Sequence, residues 1–541
     1  MTKKSKMKIG LLTNSNLVSK YICDLVQWTI KQDNIEISLL IAQKNAKSYT
    51  KFLEKIAYNL IIKFELILLK KFFEHKDHFK KYDLNIFIDS HIFITPVNSN
   101  NKGIMECNNN DRKKIKDLNL DLIIQCDFEK IIGNILNIPK FGVVKFNYGN
   151  NKYPPGFWEV YYKNDSTSFK IQRLTEQFNE EIVIFEGKFQ TQFFYSLNQA
   201  FLYTKSNHYM KEVLRKISSN KQLPEITNKT LNENSFLINP SFFNYYYYST
   251  NIFFSVFKKI YRKYVQKKRT RCGVAFSQQN WESIVFSESI KIKNPVGCFL
   301  ADPFLFYRSN KDYCFVEEFN YKDNKAHIAV YELDNKNYSR LGIVLKESFH
   351  LSFPYIFEYQ GKVYMCPETS QNKDIRLYES TEFPMKWHLS KVLMSNVSAA
   401  DTMIFQYNDI WWLLTNIDLS NIEDHGSELS IFYSETGPIT DNWKAHSQNP
   451  VIINSNKARN AGLIIKENIL YRVSQKQGFD LYGEKFTVNE ILQLDKHDYK
   501  EKNIFLLNLI FLKISLERTT SMQMKIIQSL IFWKFQKLII D

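Results

Sequence analysis

A six-residue pattern returns through the second half of the chain at a period of about fifty residues, and it limits the available folds more than any other feature. It reads Ala301-Asp302-Pro303-Phe304-Leu305-Phe306, Ser352-Phe353-Pro354-Tyr355-Ile356-Phe357 and Ala400-Asp401-Thr402-Met403-Ile404-Phe405, with a weaker copy at Ala461-Gly462-Leu463-Ile464-Ile465. Each copy precedes a polar turn and a second apolar stretch, at Tyr313–Val316, Val363–Cys366, Ile410–Leu414 and Ile469–Val473. A strand-turn-strand unit at this period predicts a β-propeller blade. One blade cannot bury both faces of its sheet, so stacked neighbours must supply the core.

The repeat also aligns polar residues. Fifteen positions after Asp302, Phe353 and Asp401 stand Glu317, Glu368 and Asn416. Equivalent positions of a propeller converge on its axis, which makes Asp302, Glu317, Glu368 and Asp401 candidates for one carboxylate cluster. Paired carboxylates suit glycosidic chemistry, where one protonates a leaving oxygen and the other activates water or attacks. The same acids can also cap strand ends or pair with Arg and Lys, and the register leaves both readings open.

The runs Ala301–Phe304, Phe315–Glu318, His350–Pro354 and Tyr364–Ser370, with Trp411-Trp412, Ala458–Gly462, Tyr471-Arg472, Gln475 and Tyr482-Gly483, resemble one known domain. It is the N-terminal propeller of plant glucosamine inositolphosphorylceramide transferases, found also in bacterial proteins of surface-glycan gene neighbourhoods. The resemblance implies a five-bladed propeller over residues 271–495, related in fold to family 43 glycosidases, whose chemistry uses an Asp base, a second Asp and a Glu acid. That kinship does not by itself carry an activity. In the plant proteins sugar transfer is ascribed to a separate C-terminal domain, with no counterpart expected here. On this reading Asp302, Glu317, Glu368 and Asp401 are the catalytic candidates, and His350, Trp411, Arg459, Arg472 and Gln475 the substrate contacts. Trp411 and Trp412 are adjacent on a strand and face opposite ways, so at least one belongs to the core.

The first half follows another rhythm. Met7–Asn14, Ile37–Ile41, Asp121–Gln125 and Gly142–Phe146 are short apolar strands, with a helix expected from about Val18 to Ile30. Buried strands alternating with helices predict a doubly wound parallel α/β sheet. No G-x-G-x-x-G turn follows the first strand, so the dinucleotide fingerprint is absent.

Ile135–Val144, followed by Pro154-Pro155-Gly156-Phe157-Trp158, is similar to the formyltransferase family over residues 7–215. That family places an Asn and a His two residues apart after the Gly-Val strand and an Asp in a later turn. Here the matching positions hold Lys145, Asn147 and Asn179, a degenerate site. Asn has no titratable proton near neutral pH and cannot serve as the base. Ordinary formyl transfer is therefore not expected. No cofactor is implied, formyl-tetrahydrofolate entering only if an unconventional base operates.

Seven scattered cysteines without a C-x-x-C argue against a zinc site or a disulfide framework, and no metal is expected. The Lys-rich start precedes too short an apolar run for a signal peptide. The expected setting is cytoplasmic, or peripheral at the inner membrane. Formal net charge is +16, much of it at Lys258, Lys259, Arg262, Lys263, Lys267, Lys268, Arg269 and Arg271, just after the aromatic run Phe242–Tyr248. Such a segment suits either an anionic membrane surface or a solvated helical linker packed by its aromatics. No nucleic-acid motif accompanies it.

These readings divide the chain into a formyltransferase-like domain (1–215), an aromatic and basic linker (216–270), a five-bladed propeller (271–495) and a short helical tail (496–541). The function expected is handling of a sugar, sugar phosphate or nucleotide sugar by a transferase-type protein of lipopolysaccharide or capsule assembly. A non-catalytic glycan-binding module and a sugar N-formyltransferase with an unconventional base are the alternatives.

Overall fold

The computed structural model describes residues 6–42, 52–69, 78–88, 91–94, 97–98, 104–126, 130–148, 153–176, 180–220, 222–223, 229–231, 239–266, 268–278, 289–508, 514–515, 526–528 and 532–537. The chain divides into two units, Met1–Phe253 and Phe254–Asp541.

The first unit is built on one eight-stranded sheet. Its elements are β1 (Met7–Thr13), α1 (Lys20–Ile30), β2 (Ile35–Ala42), α2 (Phe52–Leu68), β3 (His91–Ile94), α3 (Asn109–Asp117), β4 (Leu122–Gln125), β5 (Val143–Asn147), α4 (Phe157–Tyr161), β6 (Ser166–Leu174), β7 (Glu180–Gln190), α5 (Tyr195–Asn220), β8 (Lys229–Leu231) and α6 (Phe242–Ile260). The spatial order is β8-β7-β6-β5-β4-β1-β2-β3. Strands β5, β4, β1, β2 and β3 run parallel, as the short apolar runs predict. The all-parallel expectation is corrected at the other edge, where β6, β7 and β8 are antiparallel. The cause is visible in β6, where buried and partly buried residues alternate along most of its length, the pattern of a half-covered antiparallel strand.

A buried carboxylate ties three helices of this unit together. Glu65 of α2 accepts from the backbone N–H of Ser196 at 2.7 Å and of Tyr195 at 3.3 Å, at the start of α5. The Tyr248 hydroxyl of α6 donates to the same carboxylate at 2.5 Å. Helix N-termini carry unsatisfied donors and a positive dipole end, which is why an acid belongs there. Burial nonetheless pushes Glu65 above the usual carboxylate range, against the pull of those hydrogen bonds.

The second unit is propeller-like and all-β apart from helical turns. Four blades of four antiparallel strands follow one another. They comprise β9 (Cys298–Arg308), β10 (Lys311–Asn320), β11 (Lys325–Asp334) and β12 (Asn337–Leu345); β13 (Ser352–Tyr359), β14 (Lys362–Glu368), β15 (Asp374–Glu382) and β16 (Lys386–Ser395); β17 (Ala399–Tyr407), β18 (Ile410–Ile417), β19 (Glu428–Ser434) and β20 (Lys444–Ala445); and β21 (Arg459–Lys466), β22 (Ile469–Gly478), β23 (Leu481–Leu494) and β24 (Tyr499–Asn508). Neighbouring blades bury each other's faces: Phe306, Phe315 and Tyr313 of the first pack with Phe383 and Trp387 of the second.

The expectation of five blades is corrected to four complete ones among the described residues. In place of a fifth, Lys268–Gly273 pairs with Phe532–Lys537, and Ala275–Ser277 pairs with Ile290–Lys291 and Ile514–Ser515. Val274 and Phe276 cover the first blade beside Leu300 and Leu305. The helical tail is corrected too. Residues 499–508 are the outer strand of the fourth blade, and the other described residues after 508 are strands. Apolar runs of that length are ambiguous between helix and strand, and neighbouring edges decided the outcome.

Candidate functional site

Two local devices set the position of every site residue. The first hairpin of each blade closes with a two-residue turn in which both residues have positive φ: Ser309-Asn310, Gln360-Gly361, Asn408-Asp409 and Glu467-Asn468. Such turns match the twist of the flanking strands and lock their register. Seven residues before each turn the inner strand holds Asp302, Phe353, Asp401 and Asn460; the register shifts at the first three, and in the fourth blade just after Asn460, which still pairs with Ser474. Asp302, Phe353 and Asp401 adopt φ of 42°, 46° and 51° there. A bulge frees one residue from the ladder and re-aims its side chain.

The same count pairs Ala301 with Glu317, Ser352 with Glu368, Ala400 with Asn416 and Arg459 with Gln475. The fourth copy of the repeat is therefore Arg459-Asn460-Ala461, two residues earlier than Ala461-Gly462 implies. Equivalent blade positions thus present Glu, Glu, Asn and Gln in turn, and their partners Ala, Ser, Ala and Arg.

Asp302, Glu317, Glu368 and Asp401 come together and act on one another electrostatically. Asp401 is 1% exposed and Glu317 7%, while Asp302 and Glu368 are only partly buried. Arg459 from the fourth blade lies among them, with Nε 2.6 Å from Asp401 Oδ2 and Nη2 donating to Oδ1 at 3.4 Å. The Nε–H is not aligned on Oδ2, so this is a charge contact more than a directed hydrogen bond. The guanidinium also lies over the Tyr482 ring, 4.7 Å from its centroid.

Several carboxyls around one cation cannot all ionise easily. Burial pushes Asp302 up to about 6; Glu368 adds to the rise, while Arg459, the Phe353 N–H and Glu317 oppose it. Burial and the charges of Asp302 and Glu368 hold Glu317 well above the usual carboxylate range, and its carboxyl hydrogen-bonds Asp302. Burial pushes Asp401 up as well, against the pull of Arg459. Beside them, the Cys272 thiol is raised by burial and by Glu317 and Asp302.

His350 belongs to the cluster's edge. Its Nδ1 accepts the Ala326 N–H at 3.2 Å, which assigns the proton of the neutral ring to Nε2, 3.5 Å from Glu317 Oε1. Burial lowers its pKa, against the pull of Glu368. Gln475 is buried with Oε1 left without a hydrogen-bond partner.

Two expected contacts are corrected. Arg472 is fully buried, and its donors are spent within the fold. Nε and Nη2 each bond Glu501 at 2.8 Å, Nη2 also reaches Lys457 O, and Nη1 bonds Ala458 O and Asn460 Oδ1. No guanidinium donor remains for a ligand. Trp411 packs against Phe357 and Tyr359 of the second blade, and Trp412 bonds Tyr407 O from the core. Both faces of a blade are covered by neighbours, so strand alternation exposes neither ring. Asn416 is likewise structural, bonding Glu428 O, Ala458 O and the Asn460 N–H. Tyr482 was overlooked by sequence reasoning; its only signal was the Tyr482-Gly483 dipeptide.

In the first unit Asn147 is buried and donates Nδ2 to Gln172 Oε1 at 2.7 Å. Lys145 stands two residues before it on β5. Asn179 lies outside the described residues.

Residues 268–512 match a family model described as glucosamine inositolphosphorylceramide transferase 1, N-terminal. The match lies within the second unit. Over 210 residues the chain is 37% identical to glucosamine inositolphosphorylceramide transferase 1 of Oryza sativa subsp. japonica, covering 38% of this chain and 27% of the rice protein. The Arabidopsis thaliana protein of the same name is 33% identical over 211 residues, with 38% and 27% covered. The chain thus spans about a quarter of the length of these plant relatives, and they give no support to a bacterial source or to lipopolysaccharide. The formyltransferase resemblance falls outside the family match. Among solved structures, Zg3597, a family 117 glycoside hydrolase of Zobellia galactanivorans, aligns at TM-score 0.33 and 11% identity, covering 44% of this chain and 76% of its own. A GH43_1 enzyme from Xanthomonas citri aligns at TM-score 0.33 and 9% identity, covering 45% and 89%.

Proposed function

We propose that the propeller-like unit handles a sugar, with the protein acting in glycosyl transfer. The carrying observation is the carboxyl cluster centred on Arg459. Within it Asp302 and Glu368 are the partly exposed pair, able to meet a ligand, while Glu317 and Asp401 are buried behind them. Asp302, pushed up to about 6, is poised to exchange a proton with a hydroxyl near neutral pH. Glu317, pushed toward its neutral form by burial and hydrogen-bonded to it, tunes that proton affinity. Glu368 supplies the second carboxyl that glycosidic chemistry asks for. Gln475 Oε1 and the Arg459 donors would contact ligand oxygens. The names of the plant relatives, which describe a glucosamine transferase acting on inositolphosphorylceramide, support a sugar as the substrate class.

The test is a comparison of full-length protein with Asp302→Asn and Glu368→Gln, using thermal shift against free sugars, sugar phosphates and nucleotide sugars, and turnover assays on any ligand found. Catalytic acids predict turnover lower by about 10²–10⁴ with affinity changed only a few-fold. A binding module predicts altered affinity with no turnover to lose. Binding and turnover unchanged in both variants would refute the site. Formyl transfer has the weaker case, because buried Asn147 is occupied by Gln172 and cannot serve as a base.

A further inference from the structure

Helix α6 begins in the first unit, runs on past Phe253 into the π-helical turn, and turns an apolar stripe to solvent; α2 of the first unit carries another. Tyr58 of α2 packs edge-on to Tyr245 of α6 with centroids 6.3 Å apart, and Glu65 bonds Tyr248. The inward faces carry Ile61, Ile62 and Glu65 on α2 and Tyr245, Tyr248 and Ile252 on α6. Outward on α2 stand Leu53, Ile56, Leu60, Phe64 and Ile67, between 40% and 61% exposed. Outward along α6 and the π-helical turn Tyr261–Val265 stand Phe243, Tyr246, Phe254, Phe257 and Tyr264, between 58% and 77% exposed. Both sets recur at three- and four-residue spacing, so each forms one stripe. Exposed apolar stripes of this extent on a folded surface mark an interaction face.

We propose that α6 and the π-helical turn that continues it dock on an anionic lipid bilayer. Residues 242–265 contain Lys258, Lys259, Arg262 and Lys263 and no acid. Lys259 contacts Asp480 at 2.5 Å and Arg262 is also engaged, which leaves Lys258 and Lys263 to meet the lipid. Phe and Tyr rings next to cations fit the headgroup boundary, where apolar bodies enter the acyl edge and Lys or Arg meets anionic lipid. Among the described residues no helix is long and apolar enough to cross a membrane, so α6 would lie in the plane of the interface.

The experiment is sedimentation of the full chain with vesicles of phosphatidylcholine alone or with about a third phosphatidylglycerol. The wild type should bind the anionic vesicles at least about tenfold more tightly than the neutral ones, because each cation at the surface contributes about fivefold. Phe243→Ser/Tyr246→Ser/Phe257→Ser should lose at least about tenfold of that affinity while the circular dichroism spectrum stays that of the folded protein, because all three rings are largely exposed. Lys258→Glu/Lys263→Glu should abolish the preference for anionic vesicles and keeps the proposal testable if the triple variant misfolds. Equal binding to both vesicle types, or binding unaffected by the substitutions, overturns the proposal. So does self-association that the triple variant abolishes while the wild type ignores vesicles, which would assign the face to a second copy.

Discussion

Arg459 Nε lies 2.6 Å from Oδ2 of Asp401 and joins the fourth blade to the third at the centre of the acid cluster. Asp401 is buried and burial already raises its pKa, so removing its cation forces the carboxyl either to stay charged without a partner or to take up a proton. Arg459→Ala is expected to cost about 3–5 kcal/mol of unfolding free energy at neutral pH, read by denaturant titration. Near pH 4 the loss should shrink, since the raised acids are then protonated. Arg459→Lys should recover only part of it, because an ammonium cannot reproduce the planar contact with Tyr482.

Asp302 gives the cluster a pH signature. Its folded pKa is pushed up to about 6, above the ordinary Asp value of 3.8. Between those values the folded state binds more protons than the unfolded chain, so raising the pH lowers stability. The thermal midpoint of the wild type should therefore fall relative to Asp302→Asn as pH rises from about 4 to about 6. Glu317, also raised by burial and by the neighbouring acids, should add to the decline, and Glu317→Gln should flatten it. A wild-type midpoint rising through this window relative to both variants would contradict the assigned directions.

The blades were legible because two local requirements recur: a turn with two positive-φ residues and a bulge seven residues before it. The fourth copy was misplaced because Gly462 looks like the bulge residue, whereas Arg459 and Asn460 occupy the equivalent positions. Of the site, the four acids followed from residue type and register. The roles of Arg472 and Trp411 did not, since burial of a guanidinium or a ring depends on elements distant in sequence. The parallel half of the first sheet was visible as continuous apolar strands. Its antiparallel edge was missed although the alternation in β6 carried the signal. The five-blade count came from resemblance, and nothing local in residues 268–278 distinguishes a blade from the short strands that form there.

Trp411 separates core from ligand contact. It packs on Phe357 and Tyr359 with centroids 5.8 and 5.2 Å away. Trp411→Ala should cost about 3–5 kcal/mol through the cavity it leaves between the second and third blades. Any sugar response of the surviving folded protein should keep its affinity. Loss of affinity with an unchanged midpoint would return Trp411 to the site.

Arg472 offers the sharper separation of scaffold from chemistry. It is fully buried, pairs bidentately with Glu501, and holds the carbonyls of Lys457 and Ala458 immediately before Arg459. Arg472→Met should cost about 3–5 kcal/mol, because Glu501 is left buried without its cation and with only the Tyr499 hydroxyl as a donor. Replacing both partners, as Arg472→Met with Glu501→Leu, removes the stranded charge, and a substantial part of the stability should return. The carbonyls of Lys457 and Ala458 still lose their donors in the double variant, so recovery should be incomplete and the Arg459 backbone less well held. The expected result in denaturant titration is thus a coupling energy well above the few tenths expected of independent sites. Additive losses would mean that the pair is not the element holding the fourth blade against the cluster.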